Sequence, residues 1–173
     1  MTSISKKIYF ASDQHFGAPT PELSFPREQK FVAWLDEVKK DAEAIFLLGD
    51  LFDFWFEYKT VVPKGFVRVL GKLAEIRDSG IPIYFFVGNH DLWMNDYFEK
   101  ELNIPVFHEN QEYTFHGKTF LVGHGDGKGP GDLGYKRMKK VFTNPFSKWL
   151  FRWLHPDLGV GLAQYLSVKN KLI

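Results

Sequence analysis

Residues 45–53 read Ile-Phe-Leu-Leu-Gly-Asp-Leu-Phe-Asp, an apolar run that leads through a glycine to a carboxylate. The apolar run predicts a strand buried on both faces, as in a parallel sheet covered by helices. Asp50 would then lie at the carboxyl end of this strand, where ligand sites form in open α/β sheets. A lone Asp is also typical of turns and helix caps. Asp50 is therefore informative only if other strands end in the same way.

Three further apolar segments do end in residues that commonly bind metals. They are 6–12 followed by Asp13 and His15, 81–87 followed by Gly88-Asn89-His90-Asp91, and 118–122 followed by Gly123 and His124. If the first strand continued, the side chains of Asp13 and His15 would point to the same side. Carboxylate, imidazole and amide ligands without any cysteine suit Mn, Fe or Zn, and they suit a pair of closely spaced ions.

The remaining pattern alternates strands with helices. Segments with a helical repeat of apolar residues are 27–40, 64–79 and 93–102, and short strands are predicted at 104–107 and 113–116, with a loop at 17–26. The aromatic run 51–56 fits either core filling or an apolar wall beside a site. Asp53 in that run is predicted to support or cap the site and not to be a metal ligand. These elements predict one α/β domain.

A two-metal site needs one carboxylate that bridges both ions. Asp50 is the predicted bridge, with Asp13 and His15 on one ion. Asn89 and His124 would hold the other ion. Such ions generate hydroxide from water and clamp a phosphoryl oxygen. His90, beside the ions, is predicted to stabilise the transition state or to protonate the leaving group.

These motifs, in this order and spacing, resemble the calcineurin-like metallophosphoesterases over residues 8–127. The resemblance implies a four-layer αββα sandwich with two divalent metal ions between the strand ends. It also implies a later Gly-His-x-His motif, which is not found after His124. The expectation is therefore a C-terminally truncated chain, impaired in metal binding, whose unpaired sheet edge favours a homodimer or a swapped oligomer.

Within that superfamily the chain is most similar to the UDP-2,3-diacylglucosamine pyrophosphatases of lipid A biosynthesis. Gly123-His124-Gly125-Asp126 matches that family, and a basic, aromatic segment follows directly. The resemblance implies hydrolysis of the pyrophosphate to UMP and the lipid monophosphate, with Mn²⁺ as the metal. It also implies a cytoplasmic enzyme peripheral to the inner membrane. Enterobacterial members carry Arg where this chain has His90, which follows the general superfamily pattern.

The C-terminal segment differs in charge from the rest of the chain. Residues 133–173 contain eight basic residues and one acidic residue, whereas the remainder holds fourteen basic and twenty acidic residues. Large apolar residues recur there at helical spacing, interrupted at Pro145. Two interpretations remain open: additional core helices, or a lid that meets acyl chains and head groups at a membrane surface.

The lid interpretation divides the chain into a partial phosphoesterase core, residues 1–128, and a helical lid, residues 129–173. The predicted substrate contacts are Asn89, His90, Trp149, Trp153, Ser167 and Asn170. Nucleic acid is not a predicted partner, because the aromatic residues follow helical stripes and are not interleaved on a sheet. The alternatives are another phosphodiesterase or phosphatase of this superfamily, or a metal-poor scaffold of the same fold. No apolar run reaches the ~18 residues of a membrane span.

Overall fold

A computed structural model of the protein describes residues 6–126 and 139–170, with the side chains of all of these except 163, 164 and 166–170. Its centre is a four-stranded parallel sheet whose strands lie in chain order. The strands are β1 (Lys7–Ala11), β2 (Ala42–Leu48), β3 (Ile83–Phe86) and β4 (Val106–Phe107). Because all four are parallel, their carboxyl ends lie at one edge, which is where the predicted site residues follow.

The inner strand β2 separates two apolar layers. Ile45 and Leu47 pack in the larger cluster, whereas Ala44 and Phe46 face the smaller one. This alternation follows from the two-residue period of a strand. All four side chains are buried, so β2 is covered on both faces as its apolar sequence predicted.

Helices cover one face of the sheet. They are α1 (Pro21–Val38), α2 (Val67–Asp78) and the short α3 (Tyr97–Leu102). The predicted loop at 17–26 is wrong in its second half, because α1 begins at Pro21 and contains Pro26. The side chain of Thr20 caps the helix by accepting a hydrogen bond from the Leu23 N–H, and proline is tolerated in a first turn. The helix predicted from residue 93 begins later, at Tyr97.

The other face of the sheet is covered by an antiparallel hairpin, β5 (Gln111–Phe115) and β6 (Lys118–Val122). Tyr113 and Phe115 pack edge-on against Phe46, with ring centroids 4.9 and 5.5 Å apart. The described chain thus has a helical layer, a parallel sheet and a second small sheet. This confirms the predicted α/β class and agrees with three successive layers of the αββα arrangement.

The C-terminal segment is helical, as predicted. Residues 139–143 form a helical turn, and Asn144 then caps α4 (Pro145–Arg152), so the chain does break at Pro145. Helix α5 spans Pro156–Asn170. The predicted boundary at 128–129 lies outside the described residues. No helix in the described ranges combines the length and the apolar character needed to cross a membrane.

An aromatic cluster joins this segment to the core. Phe151 of α4 packs against Phe54, Phe56 and Trp93, with centroids 4.6–6.2 Å apart. The indole N–H of Trp93 donates to the carbonyl of Phe142 at 2.6 Å. Part of the aromatic run 51–56 is core filling, as one of the two interpretations predicted, because Phe52 and Trp55 lie in the core. Phe54 and Phe56 instead pack against Phe151 of α4.

Glu57 is a buried carboxylate that fixes this region. It accepts hydrogen bonds from the Trp55 indole at 3.0 Å and from the N–H groups of Asp96 and Tyr97 at the start of α3. Glu57→Ala should lower the free energy of unfolding by about 2–3 kcal/mol, because the buried Trp55 indole and two partly buried N–H groups lose their acceptor. Chemical denaturation measures this. Glu112→Ala, at an exposed position of β5, is the matched control; equal losses in both variants would contradict the role given to Glu57.

Candidate metal centre

The loops that follow β1 and β2 run side by side beyond the sheet. The N–H groups of Asp13, His15 and Phe16 donate to the carbonyls of Gly49, Asp50 and Leu51 at 3.1, 2.9 and 2.9 Å. This pairing places Asp13 and His15 beside Asp50.

The route by which these side chains converge differs from the prediction. Strand β1 ends at Ala11, so the alternation of a continued strand does not apply. Asp13, His15 and Asp50 instead adopt positive φ angles of 58°, 46° and 53°. Such backbone is uncommon for residues other than glycine and clusters at functional sites. Left-handed turns, and not strand geometry, aim these side chains at a common point.

Close approach of the backbones also shapes the site. A Cβ on Gly88 would lie 2.2 Å from Oδ1 of Asp50 and 2.6 Å from its backbone nitrogen. Only glycine leaves room for the β2 and β3 loops to meet here. The Asp50 carboxylate is consequently only 3% exposed and lies between the two loops.

Two predicted ligand groups meet at Asp50. On one side, ligand atoms of Asp13, His15 and Asp50 lie within 4.8 Å of one another, and Nε2 of His15 is 3.7 Å from Oδ2 of Asp50. On the other side, Nε2 of His124 lies 3.6 Å from the same oxygen and 3.4 Å from Oδ1 of Asn89. One carboxylate oxygen is therefore shared by both groups, as a bridging residue requires.

The hydrogen bond of the His124 ring shows which ring nitrogen could bind a cation beside Asp50. Its Nδ1 lies 2.6 Å from the carbonyl of Leu48, which can only accept, so Nδ1 carries a proton. In the neutral ring, Nε2 then presents a lone pair towards two oxygens that are acceptors as oriented here. A divalent cation placed between this nitrogen and the two oxygens would be attracted by all three atoms. The donor set thus fits a divalent metal ion with nitrogen and oxygen ligands.

Asp53 is more central than the sequence suggested. Its Oδ1 lies 3.5 Å from Nδ1 of His15 and 3.6 Å from Nδ1 of His90, and the three residues form a second group able to hold a metal ion. The carbonyl of Asp53 is also 2.9 Å from Nδ1 of His90. The spacing Asp50-x-x-Asp53 directly after a strand was the available signal, but alone it also fits a helix cap.

Asp91 holds the loops that carry the candidate ligands. This fully buried carboxyl accepts from the N–H groups of Gly88 at 2.6 Å and Leu51 at 3.0 Å, so it ties the β2 and β3 loops together. Burial, and then the negative charge of Asp50, raise the pKa of Asp91 to about 7. A cation held by Asp50 would offset the second cause. Asp91 was not among the predicted site residues.

Two of the predicted lid contacts, Trp149 and Trp153, have no described contact with this cluster. Trp149 and Trp153 are exposed, and the ring contacts described for them are with Phe146 and with each other, at 5.8 and 6.0 Å. The structure does not bring these two side chains to the metal-site residues. The side chains of Ser167 and Asn170 lie outside the described residues.

A parallel α/β sheet with a candidate dimetal centre at its carboxyl edge defines the class of protein. The sequence profile of the calcineurin-like phosphoesterases matches residues 6–162. The chain therefore belongs to the calcineurin-like phosphoesterase family, a family that uses divalent metal ions.

Curated relatives agree with this family. The chain is 42% identical over 166 residues to a UDP-2,3-diacylglucosamine hydrolase of Porphyromonas gingivalis, covering 95% of this chain and 63% of the relative. It is 32% identical to a protein of the same name from Edwardsiella ictaluri, covering 93% and 62%. The chain thus spans slightly less than two thirds of the length of these relatives.

A solved structure shares the fold. The crystal structure of a protein of unknown function from Aquifex aeolicus matches with a TM-score of 0.50 at 21% identity, covering 78% of this chain and 70% of that one. This likeness concerns the fold alone.

Gly88 and Gly71 offer a matched pair of substitutions. Gly88→Ala should lower the free energy of unfolding by about 1–3 kcal/mol and weaken metal binding, because the added methyl displaces Asp50. Gly71→Ala, in helix α2 with nothing near its Cβ, should stabilise by about 0.5–1 kcal/mol. Denaturation and metal titration of both variants measure this. Unchanged metal affinity in Gly88→Ala would contradict the role of the close approach.

Proposed function

We propose that the chain carries the catalytic site of a metal-dependent hydrolase acting on the pyrophosphate bond of UDP-2,3-diacylglucosamine, releasing UMP and the lipid monophosphate. The observation that carries the proposal is the shared Asp50 oxygen between two ligand groups, beside an apolar groove. The names of the curated relatives support the same substrate.

The proposed ligands are Asp13, His15 and Asp50 for one ion, and Asp50, Asn89 and His124 for the other, with Asp53 as an additional candidate. Two divalent ions, with Mn²⁺ proposed, would activate water as a nucleophile and polarise the phosphoryl group. The protein contributes the orientation. Gly88 and Asp91 hold the loops, and the Leu48 carbonyl fixes the ring of His124 with Nε2 towards Asp50.

His90 is proposed as the catalytic residue that stabilises developing charge. Its backbone N–H donates to Oδ1 of Asp50 at 2.9 Å, while Nδ1 donates to the Asp53 carbonyl, which leaves Nε2 to face the substrate. Oδ1 of Asp53 lies 3.6 Å from the same ring nitrogen. The leaving group is a phosphate monoester, which is stable as an anion near neutral pH. Charge stabilisation on the phosphoryl oxygens is therefore a better role for His90 than protonation of the leaving group.

The apolar groove accounts for the lipid part of the substrate. This groove, of about 450 Å³, lies between Trp93 and the C-terminal helices and is lined by Val141, Phe142, Phe146, Ser147, Leu150, Phe151 and Leu154. None of these side chains is charged. Trp93 comes four residues after Asn89, so the groove begins beside the proposed metal centre. Hydrocarbon chains are the chemistry that such a surface binds.

Attachment to the membrane surface is part of the same proposal. Phe146, Trp149, Leu150 and Trp153 are exposed on or near α4, with Lys148 and Arg152 among them. An exposed apolar stripe flanked by cations suits the interface of an anionic membrane. We place this surface on the cytoplasmic side of the inner membrane, where the proposed substrate would be extracted.

Asp50→Asn tests the metal chemistry. Replacing the shared oxygen donor should lower kcat at least ~100-fold and reduce bound Mn²⁺, because it weakens both ligand groups at once. Enzyme assay with diacylated substrate and metal analysis measure both. Asp78→Asn, at the exposed end of α2, should change neither. Full turnover by Asp50→Asn would refute the bridging role.

Leu150→Ser tests the groove. The variant should lower kcat/KM about tenfold for the diacylated substrate but leave hydrolysis of UDP-N-acetylglucosamine unchanged, because only the former loses apolar contact. Leu121→Ser, similarly exposed but on β6, is the matched control. Equal effects of Leu150→Ser on both substrates would instead favour a phosphodiesterase without lipid selectivity.

A further inference from the structure

A second cavity, of about 750 Å³, lies between helix α1, the segment 61–68 and helix α5, and is called here the α1–α5 cavity. Asp53 and Phe54 form part of its wall. Asp53 belongs to the candidate metal centre, and Phe54 contacts Trp93 and Phe151 of the apolar groove. The cavity and the groove therefore lie on two sides of the same loop, next to the same centre.

The two spaces differ in chemistry. The groove has no charged side chain in its lining, whereas the α1–α5 cavity is lined by Glu28, Lys64, Arg68 and Asp157 as well as His155. Acyl chains in the cavity would desolvate these charged groups without pairing them, at a cost that the groove does not impose. The cavity therefore suits a ligand that is apolar on its faces and polar at its edge.

Its walls match a flat ring with hydrogen-bonding groups. Phe25, Phe54 and Phe66 supply aromatic surface, and the guanidinium of Arg68 lies 4.7 Å from the ring centroid of Phe25. Glu28 is 7% exposed as a residue, and its one described hydrogen bond, from the Ser24 hydroxyl, is 3.3 Å long. A ligand donor directed at the Glu28 carboxylate would add to this single hydrogen bond.

We propose that the α1–α5 cavity binds the nucleoside end of the substrate, a pyrimidine base and its ribose, while the acyl chains occupy the groove. This assignment rests on the proposed function. It places the scissile pyrophosphate across the Asp53 loop, between the two binding spaces. A uracil ring offers one N–H donor and two carbonyl acceptors, which complement the Glu28 carboxylate and the Arg68 guanidinium. Stacking on aromatic side chains is the usual way proteins hold a base face.

Gly161 allows a direct test. It lines the cavity from α5, and nothing lies within 4 Å of a Cβ built on it, so Gly161→Leu fills the cavity without a clash. Gly71→Leu is the matched control, a helical glycine on α2 with equally open surroundings. Calorimetric titration of the Mn²⁺-loaded 173-residue chain with UMP, and with ribose 5-phosphate, measures what the base contributes.

The wild type should bind UMP about tenfold more tightly than ribose 5-phosphate. Gly161→Leu should remove most of that preference, Glu28→Gln should reduce it, and Gly71→Leu should preserve it. Thermal unfolding should show that all variants remain folded. No preference for UMP in the wild type, or an unchanged preference in Gly161→Leu, would overturn the proposal. So would a loss of lipid monophosphate affinity in Gly161→Leu with UMP binding intact, because the cavity would then hold acyl chains.

Failure of the proposed function gives a different pattern. If diacylated substrate is not hydrolysed but the UMP preference depends on Gly161, the nucleoside site stands and the lipid substrate is wrong. If the diacylated substrate is hydrolysed and Gly161→Leu leaves UMP binding unchanged, only the assignment of the cavity is wrong.

Discussion

The approach of two loops around one carboxylate is the constraint on which the rest of the site depends. Asp50 is almost completely buried, and its Oδ1 accepts the N–H of His90 while Oδ2 lies between two imidazoles. An isolated carboxylate in this position would be costly to bury. The N–H of His90 supplies part of the compensation, and the proposed shared cation would supply the rest. The glycine at 88 makes this geometry sterically accessible, and the Asp91 hydrogen bonds keep the loops from separating.

The pairing register of the strands determines which site residues lie next to one another. β1, β2 and β3 are parallel neighbours, so the segments that follow them leave the same edge. The backbone pairing of β1 and β2 continues past the strands up to Phe16 and Phe52. That continuation sets Asp13 and His15 level with Asp50, although none of the three is in a strand. The site is thus an extension of sheet pairing into turns, built on residues with left-handed backbone.

Sequence reasoning worked where a single local pattern determines the outcome. The buried strand β2, the hairpin strand at 118–122 and the break before Pro145 follow from apolar periodicity and from proline chemistry. It failed where tertiary context decides. The start of α1 was missed because the proline-containing segment 17–26 was predicted to be a loop, whereas Pro21 lies in the first turn of the helix. The approach of Asp53 to His15 and His90 was not predicted, because it depends on loop pairing, which no local pattern encodes. The ligand roles themselves stay predictions.

Trp93 occupies a position with a further consequence. It lies two residues after Asp91, its indole N–H is fixed to the Phe142 carbonyl, and its ring touches Phe151. One rigid side chain thus connects the support beneath the candidate centre to the helices that form the groove. If a bulkier or shorter hydrocarbon displaced those helices, Trp93 would transmit the displacement to the Asn89–Asp91 turn. If the proposed lipid substrate binds in this groove, turnover as well as affinity would depend on the length of its hydrocarbon chains.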